Sequence, residues 1–432
     1  MIKYIGSKRT LLPVLVELLQ GFPELDSVAD LFAGTSRVGH ALKNAGLRVV
    51  ANDHNAYAHC LARCYVEADR ERVIIEAQSI LADLSRVPGR AGYFTQTFCH
   101  DSRFFQAHNG ERVDAMREAI VDLSLPPILE AVVLTSLMEA ADRVDSTCGL
   151  QMAYVKQWAP RSFKELELRM PDVLPGVAAG DCAALRMDAA EAAAAVDVDI
   201  AYLDPPYNQH SYLSNYHIWE SLVLWDKPEV YGVACKRVDC RERKSDYNSK
   251  RRHVDAFAQL IANISAPLIV VSFNNEGYQS RGEMEALLSQ RGEVFVVTRD
   301  FKRYVGAQIG VYNPAGDKVG NVSHLRNEEY IYLVKTPELE QRVPDAGARL
   351  EQLAARVDNQ SEPRGDDRVA AVVAALQDHD AATWQQLRRT SGLSEYQTRM
   401  ALQSAVARGL IEVDAKGRGK VYRILAASRP GR

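Results

Sequence analysis

The sequence predicts a doubly wound α/β sheet carrying an inserted, mainly helical lobe, followed by a small C-terminal winged helix-turn-helix unit. Three observations carry that expectation. Short, β-rich apolar runs recur between segments of helical spacing, the pattern of a largely parallel sheet whose strands are buried on both faces. The stretch "VDIAYLDPPYNQHSY", Val198 to Tyr212, drives one such run into an acid, two prolines and a tyrosine. Past residue 336 the chain turns polar and Pro/Gly-bearing, then gives three helical patterns and two short strand patterns.

The bulk properties suit this organisation. At 432 residues, 47% hydrophobic and 25% charged, the chain has room for two or three domains with their own cores. No uncharged apolar run nears the roughly 20 residues of a membrane span, and no opening run has the form of a secretory leader, so a cytoplasmic protein with no membrane partner is expected. Seven cysteines are scattered without a CxxC pair. Reduced thiols are expected, with neither a disulfide framework nor a metal site. The formal charge of −4 argues against a uniformly basic coat for nucleic acid but not against a local patch.

The elements follow in order. "SVADLFAG" (Ser27 to Gly34) reads as a strand entering a glycine turn, and "RVGHALKNAG" as the helix behind it, stopped at Gly46. "LRVVANDHN", "VDIAYLDPPY" and "PLIVVSFNN" read as further strands. From about residue 61 to 176 the pattern is mostly helical and irregular, the expected inserted lobe. The sheet domain is expected to span 1–336 and a linker 337–365, where "DNQSEPRGDD" has a linker's composition. Residues 366–425 form the expected winged helix-turn-helix: "DDRVAAVVAALQDHD", "TWQQLRRTSG" and "SEYQTRMALQSAVARG" as helices, then "LIEVDAKGRGKVYRI" as two strands about a basic glycine tip.

Two constellations carry chemistry. In "DLFAGTSRVG", Asp30 to Gly39, a glycine turn at a strand's carboxyl end lets a nucleotide-like ligand approach the backbone. Asp53, ending the next strand, stands where an acid accepts ribose hydroxyls in a Rossmann-like sheet. Gly34 and Gly39 do not complete a GxGxxG pattern, and Ser36 stands where another glycine would help. The second constellation is Asp204, Pro205, Pro206 and Tyr207. An exocyclic amine on a heterocycle is a poor nucleophile because its lone pair is delocalised into the ring. Two fixed acceptors, the Asp204 carboxylate and the Pro205 carbonyl, would take its two hydrogens and localise that pair, with Tyr207 stacking on the ring. Adenine and cytosine both present such an amine, so the turn alone does not choose between them.

With "KYIGSK", "DLFAGTSRVG", "NDHN", "GDC", "DPPY" and "VVSFNN" in this order along residues 1–336, the chain resembles the Dam-like, alpha-group family of adenine-specific DNA methyltransferases. The resemblance implies a methyltransferase sheet using S-adenosylmethionine to methylate the adenine 6-amino group of duplex DNA, with the target flipped out of the helix. It favours adenine because related cytosine enzymes more often carry Ser in place of Asp204. It implies that Lys3, Tyr4, Gly6, Ser7 and Lys8 close over the cofactor, that Asp30, Phe32 and Gly34 line its methionine end, that Asp53 holds its ribose, and that Asp181 lies near its adenine. Asp204 borders both cofactor and target. The lobe would read the target sequence. A cognate restriction endonuclease is left open as a partner, as is the choice of monomer or dimer. Other readings of the same residues are a catalytically silent DNA-binding scaffold, a cytosine 4-amino methyltransferase, or one acting on RNA.

A DNA grip is expected in "CKRVDCRERKSDYNSKRR", Cys235 to Arg252, with eight basic and three acidic residues. There Lys236, Arg237, Arg241, Arg243, Lys244, Lys250, Arg251 and Arg252 would track phosphates. In the C-terminal unit Tyr396, Gln397 and Arg399 would face the groove if its third helix reads DNA.

Overall fold

Seven of the predicted and unpredicted apolar runs assemble into one sheet. In the computed structural model these strands are β1 (Ser27–Asp30), β2 (Arg48–Asn52), β3 (Ala183–Leu185), β4 (Ile200–Leu203), β5 (Leu268–Asn274), β6 (Glu293–Lys302) and β7 (Arg326–Lys335). Their order is β3-β2-β1-β4-β5-β7-β6. All neighbours through β5 run parallel, and β7 is antiparallel to both β5 and β6. The structure describes residues 1–5, 8–302, 311–312, 318–320, 326–359, 365–377, 381–391, 395–408, 410–414 and 421–424.

Both faces of the sheet are covered, which is why its central strands lack polar alternation. On one face Leu15, Leu19, Leu42 and Val357 pack against Val49, Val270 and Leu333. On the other, Ala192, Leu260, Ile261 and Met284 pack against Leu203, Val271 and Tyr332. The seven residues of β5 are buried without exception. The chain order reverses between β1 and β4, so the carboxyl ends of these neighbouring strands open a crevice where α/β sheets bind ligands. Asp30 ends β1, while Asp53 and Asp204 follow the last residues of β2 and β4. Topology alone therefore brings the three predicted acids to one rim.

Between β2 and β3 lies a helical region with its own core, built from helices Ala56–Ala62, Arg70–Arg86, Ala107–Leu123 and Pro127–Val144 around residues such as Leu61, Phe94, Phe105, Met116 and Leu137. Its later segment docks on the chain that follows the Asp204 turn: the Gln151 amide donates to the Asn215 carbonyl at 2.9 Å, and its side-chain oxygen accepts from the Ile218 amide at 2.9 Å.

The expected linker at 337–365 needs correction over most of its length. Pro337–Arg342 and Ala346–Asn359 are helices, and Leu339, Val343, Leu350, Leu353 and Val357 join the core under the sheet. Arg342 pairs with Asp199 at 2.6 Å and Arg349 with Glu24 at 2.8 Å. The polar composition concealed an amphipathic period, in which one apolar residue per turn is enough to dock a helix whose other face is solvated. The first unit accordingly runs from Met1 to Asn359.

The second unit, Gln360–Arg432, contains helices Gly365–Gln377, Trp384–Ser391 and Glu395–Ala407. Strands Ala382–Thr383, Val421–Ile424 and Ile411–Asp414 form a three-stranded antiparallel sheet in that order. Val372, Leu376, Leu387, Leu402, Ala405 and Ile411 make its core. The basic tip Lys416 to Lys420 lies outside the described residues.

Candidate active site

The turn after β1 is shaped by two left-handed residues, Gly34 (φ 51°) and Ser36 (φ 56°). Only glycine takes this conformation without steric cost, and a Cβ on Gly34 would stand 3.1 Å from the Tyr4 hydroxyl. Ser36, fully buried, holds its strained conformation without glycine's freedom. The turn directs the Gly34 amide onto Asp53, whose Oδ2 accepts from it at 3.0 Å, while Asp53 Oδ1 accepts from the Asn55 amide at 2.9 Å. Asp53 is thus oriented by backbone amides at the cavity wall.

Asp30 is 1% exposed, and among the described residues neither carboxylate oxygen has a hydrogen-bond partner of normal geometry. Burial, then the negative charge of Asp204, push its pKa up to about 7, although the nearby Gly39 and Phe32 amides oppose this. A buried carboxylate without a cation at the wall of a cavity suits a ligand that brings positive charge.

The cavity is lined by Tyr4, Asp30, Phe32, Gly34, Asp53 and Asp204 among the predicted residues, together with Lys8. It also receives residues not anticipated from the sequence: Arg37, Asn55, Met187, Asp188, Tyr212 and Asn248. Asp188 follows β3 and caps helix Ala189–Ala195, its side chain accepting from the Ala190 amide at 2.8 Å. Asp181 precedes β3, at the strand's opposite end, and its carboxylate is 94% exposed, 4.0 Å from Arg72. Asp181, expected near the cofactor's adenine, therefore does not line the cavity, and the acid beyond β3 that does is Asp188. "RMDAA" carried the signal, an acid between a short strand and an alanine-rich helix.

Lys3 is corrected as well. Its Nζ lies 2.7 Å from Asp145, its backbone amide donates to Asp142 at 3.0 Å, and it does not line the cavity. Asp145 also takes Arg161 at 2.6 Å, so Lys3 anchors the N-terminal segment to the helical region. Tyr4, next in sequence, reaches the cavity as the middle ring of a stack, 5.1 Å from Tyr212 and 4.6 Å from Tyr216. Gly6 and Ser7 lie outside the described residues.

At the turn after β4, Lys8 Nζ stands 3.1 Å from Asp204 Oδ1 and 3.0 Å from Glu329 Oε2, and the Lys8 side chain is 6% exposed. Burial opposes its charge, but Asp204 and Glu329 hold the ammonium protonated, well above its ordinary pKa. Asp204 is raised to about 6, because burial outweighs the favourable Lys8 charge and Glu329 adds repulsion. Pro205 is buried and Pro206 lines the cavity. Tyr207 is half-buried, its ring edge-on to Phe273 at 5.5 Å, with Lys8 Nζ 6.0 Å from the ring centre. The loop beyond it is stapled by Asn248, whose Nδ2 donates to the carbonyls of Asn208 (2.7 Å) and His210 (3.2 Å).

The basic run divides. Arg237 is 3% exposed and forms ion pairs with Asp226 at 2.7 Å and Asp239 at 3.1 Å. Arg243 pairs with the buried Glu220 at 3.0 Å and borders the cavity. Both are therefore engaged by carboxylates of their own unit, Arg237 by Asp226 and Asp239 and Arg243 by Glu220 and Asp239. Arg241 lies over the Tyr231 ring at 3.9 Å, Arg252 pairs with Asp246 at 2.8 Å, and Lys236 is half-buried. Lys244, Lys250 and Arg251 are exposed. In the second unit Arg399 is exposed on helix Glu395–Ala407, and the side chains of Tyr396 and Gln397 lie outside the described residues.

Among the described residues no group of three or more His, Cys, Asp or Glu could hold a metal ion, and no helix is long and apolar enough to cross a membrane. The sequence profile of D12 class N6 adenine-specific DNA methyltransferases matches residues 4–284. The Type II methyltransferase M.NlaIII of Neisseria lactamica is 30% identical over 342 residues, covering 76% of this chain and 97% of that protein. The Type II methyltransferase M.CviAII of Paramecium bursaria Chlorella virus 1 is 30% identical, covering 77% and 98%. The Modification methylase StsI of Streptococcus sanguinis is 29% identical over 67% of this chain but only 46% of its own length.

Proposed function

The chain belongs to the family of D12 class N6 adenine-specific DNA methyltransferases, and on that premise we propose how its residues divide the reaction. S-adenosylmethionine, when bound, supplies a methyl group already activated on a sulfonium. Asp30 would receive the positively charged methionine end, Asp53 the ribose hydroxyls, and Asp188 with Met187 the adenine edge. The observation that supports this placement is one cavity holding an unpartnered buried acid, an amide-oriented acid and the Asp204 turn along three adjacent strand ends.

The target adenine would be drawn out of the duplex and present its 6-amino group to Asp204 Oδ and the Pro205 carbonyl. Both hydrogens are then held, and the nitrogen lone pair is localised toward the methyl. As the N–C bond forms, the S–C pair returns to sulfur, and the proton released from nitrogen passes to Asp204 or to water. Tyr207 would border the base with its ring rather than hold the cofactor. Lys244, Lys250 and Arg251 are the phosphate contacts favoured by exposure, with the helical region 61–176 reading sequence. The second unit, whose elements follow a winged-helix order, adds DNA affinity through helix Glu395–Ala407. A modification role is suggested by the name of the Modification methylase StsI, and action in the cytoplasm beside a cognate nuclease is part of the same proposal.

Transfer of labelled methyl from S-adenosylmethionine to duplex DNA, compared between wild type and Asp204→Ala, tests the assignment. Label on adenine N6 with wild type and none with the variant supports it. Unchanged transfer by Asp204→Ala removes Asp204 from the chemistry.

A further inference from the structure

The Lys8 ammonium lies between two carboxylates, and only one of them belongs to the catalytic turn. Glu329 sits on β7, opposite Asn274 of β5, 5% exposed, beyond the stretch matched by the family profile. Two buried carboxylates around one ammonium leave one surplus negative charge. Among the described residues the other groups facing the cluster do not cancel it. Burial first, and then the negative charges around them, keep the Tyr202 and Tyr207 hydroxyls protonated; Lys8 opposes this. Asp30 adds a further acid across the cavity. Arg299, opposite Glu329 on β6, turns away and donates to the Val357 carbonyl.

Methyl transfer to a neutral amine moves positive charge from the cofactor onto the acceptor nitrogen. A carboxylate tied one-to-one to a buried ammonium would offer that nitrogen little field, because the ammonium already neutralises it. We propose that Glu329 is a positioning residue for methyl transfer, sharing the Lys8 ammonium so that Asp204 keeps an uncompensated negative charge for the acceptor nitrogen. Lys8 then orients the Asp204 carboxylate without cancelling it, and the charge for which the amine competes is supplied from a strand outside the recognised motifs. The inference rests on the assignment of Asp204 to the acceptor amine.

The test is the pH dependence of single-turnover methyl transfer by full-length wild type and Glu329→Gln, alongside S-adenosylmethionine and DNA binding. In the variant Lys8 neutralises Asp204, so the plateau rate falls about 10- to 100-fold and both dissociation constants stay within about threefold. Loss of the neighbouring negative charge also lowers the Asp204 pKa, moving the acid limb to lower pH. A plateau that does not fall, or one that falls with an unmoved or upward-shifted limb, overturns the proposal, since a purely structural loss gives no downward shift. If Glu329→Gln does not fold, Glu329→Asp and Glu329→Asn make the same comparison: the charged variant must keep the limb and the higher plateau, and equality of the two overturns the proposal. Asp204→Ala run in parallel separates the two failures, because activity surviving there sinks the Asp204 assignment itself.

Discussion

Two halves of one crevice handle charge in opposite ways. On the side of β1, β2 and β3, Asp53 and Asp188 meet uncharged amide donors, and among the described residues no lysine or arginine pairs with Asp30. On the side of β4 and β7, Asp204 is already met by Lys8, itself shared with Glu329. The first half is left incomplete until a ligand arrives; the second is assembled in advance. A site for a cationic donor gains from an acid whose desolvation is relieved only on binding, whereas an acceptor site must hold its oxygens in place before the base enters.

The sharpest break of this contrast is Asp204→Ala, expected to lower the single-turnover rate by about 10³-fold or more while cofactor binding changes little, since it removes preorganised acceptors. Comparable losses in both quantities would erase the division into halves. Next is Arg237, a buried cation whose two carboxylate partners reach solvent. Arg237→Ala should cost about 2 kcal/mol of stability in denaturant titration by removing its charge-assisted hydrogen bonds to Asp226 and Asp239. The salt dependence of DNA binding should not change. By contrast, Lys250→Ala with Arg251→Ala should leave stability intact and flatten the plot of log affinity against log salt by about two contacts' worth.

Asp30→Asn probes the incomplete half. It should weaken S-adenosylmethionine about 10- to 100-fold in calorimetry, the scale of a charge-assisted hydrogen bond, yet stabilise the ligand-free protein. The pH dependence has a defined sign. With its folded pKa raised to about 7, Asp30 holds a proton in the native state that the unfolded chain has already lost above its ordinary carboxyl range. Its contribution to stability is therefore full at low pH and is lost as pH rises toward about 7. The smallest expected effect is accordingly a difference of a few degrees: the melting temperature of wild type relative to Asp30→Asn should fall between pH 5 and pH 8 without ligand, and cofactor affinity should rise over the same interval. A relative melting temperature that rises with pH would place a cation against Asp30.

Legibility in the sequence followed how local each signal was. The turns carrying Asp30, Gly34, Asp53 and Asp204 were readable because strand, turn residue and acid lie within a few positions. Asp181 was misplaced because β3 is only three residues long, too short to show where it starts, so an acid at its beginning stood in for the one at its end. Lys3 and Lys8 looked equivalent in "KYIGSK", and only the fold sends one to Asp145 and the other to Asp204. Glu329 was out of reach altogether: its meaning comes from an antiparallel strand inserted more than a hundred residues after the turn it serves. Charge counting treated Arg237 and Arg243 as open cations, whereas both share the neighbouring Asp239 and reach Asp226 and Glu220 through packing.

Helix Ala346–Asn359 bears on how this protein can be taken apart. Severing the chain in the polar stretch just after residue 336 would strip Val343, Leu350 and Val357 from beneath the sheet and leave a greasy, adhesive face. The natural seam for grafting, deleting or exchanging the C-terminal unit is downstream of residue 359, so that a fragment made there keeps its floor and one made earlier precipitates.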